Sequence, residues 1–111
     1  MANDITLFRN DSNVIRCTVL DEAGSIFNLH LATAKFSVRE TEDSIALLTK
    51  ITGNGITFHD ETGGILDITI DAEDTAEMSD DYVYDIEVTK LGEVYTVVKA
   101  VLTIEKDVTH N

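Results

Sequence analysis

Apolar and polar residues alternate with period two along most of this chain, and no proline interrupts them. Successive side chains of an extended strand point to opposite faces, so this spacing specifies half-buried strands, whereas an amphipathic helix needs spacings of three and four. Residues 33–39 show it plainly, with Ala34, Phe36 and Val38 on one side and Lys35, Ser37 and Arg39 on the other. The same rhythm places strands at 5–9, 14–20, 45–51, 56–59, 65–70, 81–90 and 94–105, with a brief extended stretch at 26–31. Between them lie turn-forming clusters: 10–13, Asp21-Glu22-Ala23-Gly24-Ser25, Gly53-Asn54-Gly55, Asp60-Glu61-Thr62-Gly63-Gly64 and Leu91-Gly92-Glu93. The Asp60–Gly64 cluster reads as a hairpin loop. One short helix is expected at 72–78, with Asp71 capping its first amides and Glu73 and Asp74 at the positive end of its dipole.

Seven to eight short strands with turns at regular intervals imply an all-β fold, a two-sheet β-sandwich, in a single domain over 1–111. Burying one face of each strand places Phe36, Ile68, Tyr84, Ile86, Val98 and Leu102 in the core. The last strand carries apolar residues on both faces, Val94, Val98, Ala100, Leu102 and Ile104 against Tyr95, Val97 and Val101, which suits a central position in its sheet. Strands 5–9 and 45–51 lie beside polar breaks and suit edges. Asp74-Thr75-Ala76 followed by Tyr82 and Tyr84 resembles the corner of an immunoglobulin-like sandwich, with Tyr84 two residues before the core position Ile86.

Charge narrows the function. Twenty-one Asp and Glu against 8 Lys and Arg give a net charge of −13. Nucleic-acid affinity is dominated by basic contacts to phosphate, and anionic membranes repel such a chain as well, so neither is an expected partner. No apolar run reaches the length of a membrane span. Met1-Ala2-Asn3-Asp4 offers neither a basic start nor an apolar run, so no signal peptide is expected. An acidic inhibitor that mimics nucleic acid remains an alternative reading of the charge.

The residues that could carry chemistry do not form a pattern. Cys17 is the only cysteine and falls within the apolar alternation of Ile15, Cys17 and Val19, where a thiol packs as a small hydrophobe. The acidic pairs Asp60-Glu61, Glu73-Asp74 and Asp80-Asp81 lack the tryptophan or other aromatic platform of a sugar site, and in so acidic a chain adjacent acids arise by chance. The loops 60–64 and 79–81 could still offer oxygen ligands to calcium. His30, His59 and His110 are far apart and have no cysteine partner for zinc. Gly53-Asn54-Gly55 and Gly63-Gly64 lead into no long helix that could hold a phosphate. No catalytic, cofactor-binding or metal-ligating residue is assigned, no cofactor is expected, and the chain is not expected to be an enzyme.

Read in order, several segments resemble the N-terminal domain of phage baseplate upper proteins and related tail-associated β-sandwich modules. These are Asp4-Ile5-Thr6-Leu7-Phe8-Arg9-Asn10-Asp11, then Val19-Leu20-Asp21-Glu22-Ala23-Gly24-Ser25 with Asn28-Leu29, and then Ala34-Lys35-Phe36-Ser37-Val38. Gly64-Ile65-Leu66-Asp67-Ile68-Thr69-Ile70, Glu73-Asp74-Thr75-Ala76 and Tyr82-Val83-Tyr84-Asp85-Ile86-Glu87-Val88 continue it. The resemblance implies a non-catalytic structural module of a phage or prophage tail or baseplate. Its partners would be other tail proteins or its own copies, and its location the virion or the host cytoplasm during assembly. A ligand-binding sandwich for carbohydrate or calcium is the alternative from another class.

Overall fold

A computed structural model describes residues 4–106. It contains eight strands: β1 (Ile5–Phe8), β2 (Asn13–Thr18), β3 (Ala32–Arg39), β4 (Ala46–Thr52), β5 (Gly55–Asp60), β6 (Ile65–Ile70), β7 (Asp80–Lys90) and β8 (Glu93–Glu105). Hydrogen bonding links them in the order β1-β8-β7-β3-β4-β5-β6-β2. The join between β4 and β5 is slight, two residue pairs long, Ile51 with Gly55 and Thr52 with Ile56. Gly53 and Gly55 stand there at φ of 86° and 102°, a region other residues rarely adopt, and they let the chain fold over.

The fold-over makes two layers, β1-β8-β7-β3-β4 and β5-β6-β2. Without a long helix to cover them, each can bury its apolar face only against the other. Phe36, Val38, Ile86, Val88, Leu102 and Ile104 from the first layer and Ile56, Leu66, Ile68 and Ile70 from the second are fully buried in one cluster. All six core residues expected from the alternation are buried. The second, sixth and fifth strands share one layer, and the third, seventh and eighth share the other, with an extra strand beside the third. That is the arrangement of an immunoglobulin-like β-sandwich.

The layers close on the sites that define such a core. Cys17 on β2 lies near enough to Tyr84 on β7 to act on its hydroxyl, and the Phe36 ring on β3 lies 5.6 Å from the Tyr84 ring. Cys17, Phe36 and Tyr84 thus stand where an antibody domain has cysteine, tryptophan and cysteine. This corrects the reading of Tyr84 as the corner tyrosine. The corner belongs to Tyr82, whose hydroxyl accepts a hydrogen bond from the Ser79 amide at 2.9 Å, three residues upstream.

Other expectations change too. The helix expected at 72–78 is a single 3-10 turn, Ala72–Thr75. The Asp74 carboxylate accepts from the Asp71 amide at 2.7 Å, but Thr75 turns inward and its hydroxyl accepts from the Asn10 amide at 2.9 Å. Met78 is drawn into the core just beyond, so only one turn fits before β7. The stretch 26–31 forms no strand; it contributes an isolated bridge between Leu20 and Ile26. β8 is central only in part, since β7 runs along its whole length but β1 pairs only with 102–105. β1 is the outermost strand of its layer, and β4 pairs with β5 only at its last two residues, so both are edges. On β4 Lys50 points inward and is ion-paired at 2.7 Å with Asp74 of the 3-10 turn that joins β6 to β7.

Candidate functional site

Most of the residues singled out for chemistry have a structural task. The Asp60 carboxylate accepts from the Gly63 amide at 3.0 Å and the Thr62 hydroxyl at 3.3 Å, which shapes the β5–β6 turn. Gly64 is needed there, because a Cβ would lie 2.7 Å from the Phe27 carbonyl oxygen. Glu61 lies 3.4 Å from the His30 ring, Asp74 holds Lys50, and Asp81 accepts from the Thr103 hydroxyl at 2.7 Å. His59 meets the Arg16 guanidinium at 3.2 Å, and Arg16 grips Asp67 with two nitrogens at 2.8 and 2.9 Å. That guanidinium holds the Asp67 carboxyl below its usual range. His30 and His59 therefore have separate partners, and His110 lies outside the described residues. Burial pushes the Cys17 thiol up, the opposite of what a reactive cysteine needs. Among the described residues no three His, Cys, Asp or Glu side chains converge as metal ligands.

The feature the sequence did not point to lies at the end of the sandwich that carries the β7–β8 turn. There β8 and the long β2–β3 connection stand apart around an open concavity of about 820 Å³. Leu20, Ile26 and Phe27 line one side, and Val94, Tyr95 and Val97 line the other. Several of these are apolar yet exposed: Ile26 by 50%, Val94 by 61% and Tyr95 by 41%. The arrangement has three local causes. The Asp21 carboxylate accepts from the amides of Ala23 and Ser25, both at 2.9 Å, which curls the connection into a tight turn. Lys90 donates to the Asn28 carbonyl oxygen at 2.7 Å and stands 5.9 Å over the Phe27 ring, fixing the connection to the β7–β8 hairpin. Phe27 meets Tyr95 edge-on, their ring centres 5.4 Å apart.

A bulge completes the site. Ile86 faces Val98, but Glu87 faces Thr96, so β8 carries one extra residue. Cross-strand partners share a face, and Val88, which is buried, is opposite Tyr95. The bulge therefore turns Tyr95 toward the core side and Val94 away from it, reversing the faces expected from strict alternation. The second layer does not reach far enough to cover Tyr95. The lining contains Asp21, Glu22 and Lys90, and otherwise apolar or neutral side chains. It can hold an apolar group beside a strand edge.

No protein-family model matches the chain, and no curated protein matches it. Among solved structures it is similar to murine CRIg at 12% identity, with a TM-score of 0.46 over 94% of this chain and 92% of that one. The fold assignment above stands on strand order and packing alone.

Proposed function

We propose that this chain is a non-catalytic interaction module that works in the assembly of a larger particle, a phage or prophage tail or baseplate. The particle rests on the resemblance in sequence. The mode of action is supported by one observation, the apolar side chains left open at the β7–β8 end, Ile26, Val94 and Tyr95 around a single concavity. Exposed apolar patches rimmed by polar residues mark interaction sites in soluble proteins. Its partners on this reading are tail proteins of the same particle, with its own copies second.

Sedimentation of the whole chain, alone and mixed with the proteins encoded beside it, tests this at low and high ionic strength. A complex with a particle protein is the expected result. Self-association, if it occurs, should strengthen with salt, because copies carrying −13 repel each other until screened. A strict monomer at both ionic strengths with no partner, together with heat release on titration with calcium or a glycan, would move the assignment to a ligand-binding sandwich.

A further inference from the structure

We propose that the open stretch of β8 takes an extended, basic segment of a partner protein as an added strand, with one apolar side chain of that segment seated between Ile26 and Tyr95. This rests on the interaction reading above and names the surface and the partner's chemistry. β8 runs through thirteen residues, yet β1 covers only 102–105 of its outer side. The Asp4 carboxylate accepts from the Val101 amide at 3.1 Å, the last described contact on that side of β8 before 93–100. Beyond it, no strand among the described residues pairs with the side of 93–100 turned away from β7. A strand edge of this kind offers main-chain donors and acceptors to an incoming segment.

The sequence of the open stretch suits pairing. Val94, Tyr95, Thr96, Val97 and Val98 are β-branched or aromatic, the residues that pack best on a pleated surface. The bulge aims Tyr95 into the concavity beside this edge, so one docked strand would use edge and concavity together. Bulges recur beside functional sites, where they re-aim a side chain in this way. Other edges also expose apolar residues, Phe8 on β1, Val14 on β2 and Leu47 on β4, but β1 and β2 do not line the concavity and β4 carries Lys50 pointing inward, a device that discourages strand addition.

Charge selects the occupant. Glu22 lies on the rim and Glu93 opens β8, both exposed, while Lys90 is already engaged by Asn28 and Phe27 and Lys99 is ion-paired with Glu42. With a net charge of −13, a second copy is repelled and a basic segment is attracted. The two occupants have opposite salt dependence, since a basic partner binds more weakly as salt rises and a second copy more tightly.

The test uses a short alternating Lys–Val peptide, the same peptide with a central proline, and a Glu–Val peptide. Binding to the whole chain is read by fluorescence anisotropy at low and moderate salt, and its place by amide hydrogen exchange. The Lys–Val peptide should bind, weaken with salt, and slow exchange at amides of 94–99 that do not bond β7. The proline version keeps the charge but loses ladder bonds, and should bind about tenfold more weakly. Tyr95→Asp should weaken binding by about tenfold or more, as loss of an interface aromatic does. Leu47→Asp on β4 should leave binding unchanged. Equal binding of the proline peptide, protection at β2 or β4 in place of β8, or no binding at all overturns the proposal. Particle partners that still associate with the Tyr95→Asp chain and leave 94–99 unprotected would defeat the β8 assignment alone. Binding of the peptide without any particle partner would defeat the assembly reading alone.

Discussion

The two halves of β8 are built from similar residues and meet different fates. Leu102 and Ile104 are buried, with Leu102 at 1% exposure, whereas Val94 and Tyr95 stand open. Both halves pair with β7 throughout, so hydrogen bonding to that neighbour is not the difference. In the covered half β1 closes the edge and the β2 layer lies across the face. Among the described residues neither reaches the open half. A strand's apolar pattern thus reports which face seeks cover, and the neighbours decide whether cover is present.

Substitutions can break this contrast. The largest effect belongs to the covered half, where Leu102→Ala should cost ~2–5 kcal/mol by emptying packed volume. Urea denaturation measures it, and a loss below ~1 kcal/mol would mean that half is no better packed than the other.

Next comes Tyr84 on β7, opposite Ala100 at the boundary between the two halves. Burial first, then the nearby charges of Cys17 and Asp4, pushes its hydroxyl up to about 12 from an ordinary 10.0. Its stabilising contribution is fully present below pH 10. Above that, the unfolded chain loses a proton that the folded chain keeps, so stability falls as pH rises from 10 to about 12. Tyr84→Phe should flatten that slope, and an unchanged slope would place the hydroxyl in water.

Tyr82→Phe should cost about 0.5–1.5 kcal/mol, because the Ser79 amide loses its acceptor. Tyr84→Phe leaves that amide paired, so the two variants separate the corner from the core. The smallest effect lies in the open half, where Val94→Ala should shift stability by no more than about 0.5 kcal/mol. A large loss there, seen in the same denaturation, would show that the open half is covered after all.

Much of the fold was legible. The alternation placed the eight strands to within a residue or two because the buried face of each must be continuous, and Phe36, Ile68 and Ile86 follow it without exception. What failed depended on other segments. The helix was cut to one turn by Asn10, sixty-five residues from its partner Thr75. The corner tyrosine was misplaced by two residues because Tyr82 and Tyr84 share a face, and only Ser79 and Cys17 tell them apart. The concavity was invisible because the bulge in β8 and the tether of Lys90 to the β2–β3 connection leave no mark on local composition.

Lys50 has a consequence for how this protein survives its own concentration. Leu47 and Ile51 leave β4 with an apolar outer surface, the kind of strand from which fibres grow. A copy stacking there would bring a second Lys50 ammonium toward the first in a site with little water. The two carboxylates near it, Asp74 at 2.7 Å and Asp71 at 3.9 Å, already serve their own chain. One inward cation thus sets a polymerisation barrier on that edge, so copies can be crowded together without their sheets joining there.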